Sequence, residues 1–121
     1  MKKDLLSDVP ADKAFYFNTD VGVYTGRCAL NLASFCEILR DVDVKSIEFH
    51  MGRGDFEKWI DFLGDSALSR EIAKLRGRGL RGEMLRAELV AAVSKRLEKL
   101  MRPRARARGR RAGPPQGCSK N

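Results

Sequence analysis

Apolar positions along the chain change their period near residue 31. Before that point, Ala14-Phe15-Tyr16-Phe17 and Val21-Gly22-Val23-Tyr24 are short aromatic and β-branched runs on either side of Asn18-Thr19-Asp20. This pattern predicts a hairpin, or two extended segments, with the polar triplet as the connection. Beyond it, Leu32, Phe35, Cys36 and Leu39 recur at helical spacing and predict an amphipathic helix from Asn31 to about Val42. Asp43 is placed to cap the next segment, Val44 to Met51. There Val44, Ile47 and Met51 fit a helix, while Ile47, Phe49 and Met51 fit a strand, and the helix is the preferred reading.

Gly52-Arg53-Gly54 reads as a break, and Asp55 behind it as the N-cap of a helix lined by Phe56, Trp59, Ile60 and Leu63. Gly64 ends that helix. Asp65 or Ser66 begins another, with Leu68, Ile72 and Leu75 on its buried side and Gly77 at its end. Arg76-Gly77-Arg78-Gly79-Leu80-Arg81-Gly82 forms a basic, glycine-punctuated connector. Leu85, Leu89, Val93 and Leu97 then step by four, so residues 83 to 101 predict the longest helix, stopped by Pro103.

These elements give a mainly α fold: a compact bundle of four or five helices with a short extended N-terminal segment or hairpin. Residues 1–13 form an N-terminal extension, 14–101 the helical domain and 102–121 an Arg-rich tail expected to be disordered when free. Phe56, Trp59, Ile60, Leu85, Leu89, Val93 and Leu97 are the expected core.

Charge divides the chain in the same place. Of the net +8, residues 102–121 carry six arginines and one lysine with no acid, whereas residues 1–101 hold 17 basic and 16 acidic side chains, a net of +1. The body is itself polarised: residues 66–101 are +5 and residues 1–65 are −4. No apolar run approaches the roughly 20 residues of a membrane helix, and no signal peptide is evident at the N-terminus, so a cytoplasmic location and no membrane partner are expected. The three cysteines Cys28, Cys36 and Cys118 are an odd number, and the first two fall in or beside apolar patterns, so thiols are expected rather than a disulfide framework. Their spacing to His50 does not suit zinc, and neither a metal nor a cofactor is expected.

Three groups of residues are candidates for chemistry. In the tail, Arg102, Arg104, Arg106, Arg108, Arg110 and Arg111 can neutralise phosphates and release counterions, which makes nucleic acid the natural partner, with RNA favoured over DNA. Without aromatic residues between them, these arginines are expected to hold nucleic acid by charge and not by base readout. In the connector, Arg76, Arg78 and Arg81 beside Gly77, Gly79 and Gly82 can bring guanidiniums and backbone amides to the start of the long helix, where its dipole favours an anion. The competing reading is a flexible connection with solvated arginines, since the glycine spacing fits neither the phosphate-loop nor the dinucleotide motif. Finally, His50, Arg53, Asp55 and Glu57 are the one cluster resembling an acid-base site. A buried, hydrogen-bonded histidine beside a helix cap is the preferred reading there, so no catalytic residue is assigned.

The order Phe49-His50-x-x-Arg53-Gly54-Asp55-Phe56-Glu57-x-Trp59-Ile60, followed by Leu63-Gly64-Asp65, resembles the signature of a small prokaryotic, largely archaeal domain family of unknown function. Phe15-Tyr16-Phe17 and Gly82-Glu83-x-Leu85-Arg86 share the resemblance, which runs from about Ala14 to Leu100 and excludes the tail. It implies a compact, mainly helical domain and carries no activity, cofactor or catalytic residue. The expected function is that of a non-enzymatic nucleic-acid-associated protein, with a ribosome or other ribonucleoprotein as a plausible host. The alternative is a protein-interaction or adaptor module.

Overall fold

The computed structural model describes residues 6–101, so every statement about the tail arginines, Arg102 to Arg111, lies outside it. Within that range the chain forms a single 3-10 turn (Ala11–Lys13), a two-stranded antiparallel sheet of β1 (Phe15–Asp20) and β2 (Val23–Ala29), and five helices. The helices are α1 (Leu32–Asp41), α2 (Val44–Arg53), α3 (Asp55–Leu63), α4 (Ser66–Gly77) and α5 (Gly82–Met101). The fold is therefore five helices with a hairpin packed into them; of the expected bundle with an extended segment or hairpin, the hairpin is the form found, and it is no mere appendage to the helices, because the sheet's apolar face is part of the core.

The hairpin turns at Val21-Gly22, not at the polar triplet Asn18-Thr19-Asp20, because Asn18 and Asp20 remain paired with Tyr24 and Val23. Gly22 takes the turn with φ 75, a conformation open to glycine at little cost. β2 runs on to Cys28 and Ala29, so both inner faces reach the helices. Phe15 and Phe17 alternate inward from β1 and meet Phe35 of α1 and Phe56 of α3, with ring centroids 4.8 to 6.4 Å apart in edge and stacked arrangements.

Local sequence explains most helix ends. Asn31 and Ser34 form a reciprocal capping box at the start of α1, and Asp43 accepts from the backbone N–H of Lys45 to start α2. The ambiguous segment 44–51 is helical, and its Ile47 and Met51 are buried. One cap differs from expectation. The N-cap of α3 is Gly54, in the left-handed region with φ 75, and no side chain caps that helix. Gly54 serves both as the C-cap of α2 and as the start of α3, so Asp55 already lies inside the helix with its carboxylate free for another partner.

α5 packs against α1, α2 and α4 and closes the core. Phe56, Trp59, Ile60, Leu85, Leu89 and Val93 are buried as expected, and Leu97 is partly buried against the same cluster. The chain before the sheet is fastened too: Val9 N–H donates to the Leu30 carbonyl, and the Trp59 indole N–H donates to the Lys13 carbonyl at 2.8 Å. Cys36 is a buried free thiol. No helix among the described residues is long and apolar enough to cross a membrane.

Candidate functional site

A register shift in the hairpin builds the first cluster. Phe17 faces Arg27 and Asn18 faces Tyr24, so Thr25 and Gly26 bulge from β2, and Gly26 adopts φ 89. The displaced Asn18 directs its backbone N–H at α2, where His50 Nε2 accepts it at 2.9 Å. Since a backbone N–H can only donate, Nε2 must be the unprotonated nitrogen and Nδ1 carries the proton. Nδ1 then donates to Asp55 Oδ2 at 2.8 Å. Arg53 Nε reaches the same Oδ2 at 3.1 Å, and its guanidinium lies over the Phe49 ring.

His50 is enclosed by Phe15, Phe17, Phe49 and Phe56. Burial pulls the imidazole below its ordinary value of 6.5 and Arg53 adds to that effect, against the opposing hydrogen bond and charge of Asp55. The ring is thus a neutral pin joining β1, α2 and α3, with neither nitrogen left over for proton transfer. Asp55, expected to cap α3, spends its carboxylate on His50 and Arg53.

Glu57 faces another way. Its Oε2 accepts from Nε of Arg76 at 3.1 Å and lies 3.0 Å from Nη2 of the same ion pair, and its Oε1 is buried without a hydrogen-bond partner. The four residues read as a cluster in sequence therefore separate into two unrelated contacts. Among the described residues there is no group of three or more His, Cys, Asp or Glu side chains able to hold a metal ion.

The connector arginines separate as well. Arg76 is committed to Glu57, and Arg78 Nη1 lies 3.9 Å from Glu88 Oε1. Arg81 has no ion pair among the described residues. The start of α5, which on one of the two sequence readings could receive an outside anion, already has a carboxylate: Glu48 of α2 accepts the Gly82 N–H at 2.7 Å. Its carboxylate satisfies an otherwise unpaired helix-terminal donor and complements the dipole.

Two further contacts escaped sequence reasoning. Asp65, whose side chain is 1% exposed, caps α4 through the Leu68 N–H and binds Arg96 Nε of α5 at 2.7 Å. Arg86 donates through Nη1 to the Leu39 carbonyl at the end of α1, at 2.9 Å. Asp65 and Arg86 were visible as polar residues beside apolar helix positions, but no local signal identifies partners 31 and 47 residues away.

Between α2, the connector and α5 lies an open cleft of about 300 Å³. Met51, Leu80 and Leu85 supply its apolar lining, and Glu48, Arg76 and Arg81 its charged groups, with Gly52 opening one wall.

The model of DUF5752, a family of unknown function, matches residues 1–94, and the chain belongs to that family. The match takes in the hairpin, the cleft, the His50 contacts and Asp65 with its Leu68 cap, and ends before Arg96 and the last turns of α5. No curated protein and no solved structure matches the chain.

Proposed function

We propose that the protein is a non-enzymatic, nucleic-acid-associated protein that favours RNA, for which a ribonucleoprotein such as the ribosome is a fitting host. The observation carrying this reading is the charge partition: seven of the net eight positive charges lie in residues 102–121. The body supports it by subtraction. Arg76, Arg78, Arg86 and Arg96 are engaged with Glu57, Glu88, Glu83 and Asp65, so much of the body's basic character is consumed internally. On this reading Arg102, Arg104, Arg106, Arg108, Arg110 and Arg111 carry the phosphate contacts, Arg81 adds to them, and the helical body supplies placement.

The salt dependence of RNA binding tests it. With five to seven phosphates neutralised, log K falls against log salt with a slope of about −3.5 to −5 for single strands. A chain ending at Met101 that binds RNA with the affinity and slope of the full chain refutes the reading. An adaptor role is the second reading, favoured by Val21 and Val23, which are 73% and 50% exposed at the hairpin tip. Partners recovered from extract that survive nuclease treatment support the adaptor, and partners lost with it support nucleic-acid association.

A further inference from the structure

The tail has no aromatic residue with which to read a base, so any sequence preference must come from the body. The cleft between α2, the connector and α5 has the parts for it. Arg76 directs Nε and Nη2 at a single oxygen of Glu57, whose side chain is only 12% exposed. This holds the guanidinium plane in one orientation and leaves Nη1 and the outer edge unused on a side chain that is 47% exposed. Arg81 lines the same cleft without an ion pair. Opposite in charge, Glu48 is fixed by the Gly82 N–H, yet one such bond occupies only one of its roughly four lone-pair sites. The partly exposed Leu80, backed by the buried Met51 and Leu85, forms an apolar edge against which a ring can lie.

We propose that this cleft takes one unstacked nucleotide of a bound RNA, its phosphate on the unpaired Arg81 with only the outer edge of the Glu57-paired Arg76 adding to it, its base against Leu80, and its Watson–Crick edge on Glu48. The proposal rests on the nucleic-acid reading above and assigns base recognition to a place the tail cannot supply. A cavity of about 300 Å³ is at the small end of ligand sites, which suits a single nucleotide and not a larger cofactor. A carboxylate accepts and cannot donate, so the preferred base presents adjacent N–H donors on that edge. Guanine, with N1–H and the exocyclic amine, fits best, and uracil, which presents one N–H between two carbonyl oxygens, fits poorly.

Titration of the isotope-labelled full chain with guanosine, adenosine, cytidine and uridine 5′-monophosphates, followed by amide chemical shifts, tests the site. Saturable shifts at Gly52, Leu80 and Arg81 are expected, with guanosine the tightest ligand, at a Kd on the order of 1 mM for a free nucleotide. Glu48→Gln keeps an acceptor for the Gly82 N–H and so preserves the helix start, but should remove the guanosine preference by about tenfold. Arg81→Gln should weaken all four nucleotides. Two oligonucleotides, one base-bearing and one abasic, separate the cleft from the tail. Equal affinity for the two, with no saturable shift from any monophosphate, overturns the cleft and leaves the tail reading standing. Cleft shifts from monophosphates with no binding of either oligonucleotide overturn the RNA reading and keep the nucleotide site. Shifts of equal size and affinity from inorganic phosphate reduce the cleft to an anion site and overturn base recognition.

Discussion

His50 and Asp55 stand on different helices, five residues apart, and are joined across the Gly54 break by a 2.8 Å bond from Nδ1 to Oδ2. Both residue types suit acid-base chemistry, but the other ring nitrogen is held by the Asn18 backbone. The two bonds together lock a hairpin bulge and two consecutive helices into one unit, and the one from Asn18 requires an unprotonated Nε2, which makes the unit sensitive to pH.

Because burial lowers the pKa of His50 in the folded state, the unfolded chain binds the proton more readily below the ordinary value of 6.5. The contribution of His50 to stability is therefore complete above about 6.5 and declines as pH falls below it. Protonation of Nε2 also abolishes the bond from Asn18. Denaturant unfolding across this pH window should show a steeper acid-side loss for the natural chain than for His50→Gln. Parallel curves for the two proteins would remove His50 as the cause.

Trp59 contributes bulk and a hydrogen bond that can be separated. Trp59→Ala should cost about 3–5 kcal/mol, since the ring is almost fully buried against Phe15 and Phe35. Trp59→Phe retains much of the apolar contact but leaves the Lys13 carbonyl without its donor, at about 1 kcal/mol. Urea midpoints should rank natural chain, Trp59→Phe, Trp59→Ala; equal losses would mean that the indole N–H is the dominant contribution.

Asp65 joins a helix cap to a buried ion pair, so its replacements should differ. Asp65→Asn keeps an acceptor for the Leu68 N–H while weakening the link to Arg96, whose side chain is 25% exposed and retains some water. Asp65→Ala loses both functions and should cost about 3–5 kcal/mol. A double-mutant cycle with Arg96→Met measures the coupling, and additive losses would show that the pair contributes no coupling of its own.

Gly52 and Gly54 should respond oppositely to alanine. At Gly54, φ is 75 and a Cβ would lie 3.6 Å from Glu57 Oε1, so Gly54→Ala should destabilise by about 1–2 kcal/mol through the left-handed backbone. Gly52 sits within α2 with nothing within 4 Å of the added methyl, and Gly52→Ala should stabilise by up to about 1 kcal/mol from helix propensity. Thermal unfolding of the two variants checks the sign directly, and a shared direction of change would contradict the contrast.

Helical periodicity and capping chemistry are local, so the sequence by itself determined the approximate limits of the helices, the core residues from Phe56 to Val93, and the separation of the basic tail from a nearly neutral body, though it left the number of helices at four or five. It also placed two extended runs before Leu32. Only tertiary structure decided where the hairpin turns, because the pairing of Asn18 and Asp20 with β2 overrides their turn preference. The same holds for the polar residues. Asp55 reads as a cap until packing brings the His50 ring to it. Arg76 reads as a free cation until Glu57 meets it from 19 positions away, and the start of α5 reads as an open anion site until Glu48 fills it from 34. Helix positions are chosen by spacing within a few turns, whereas the partner of a charge is chosen by whichever element the core packing sets beside it.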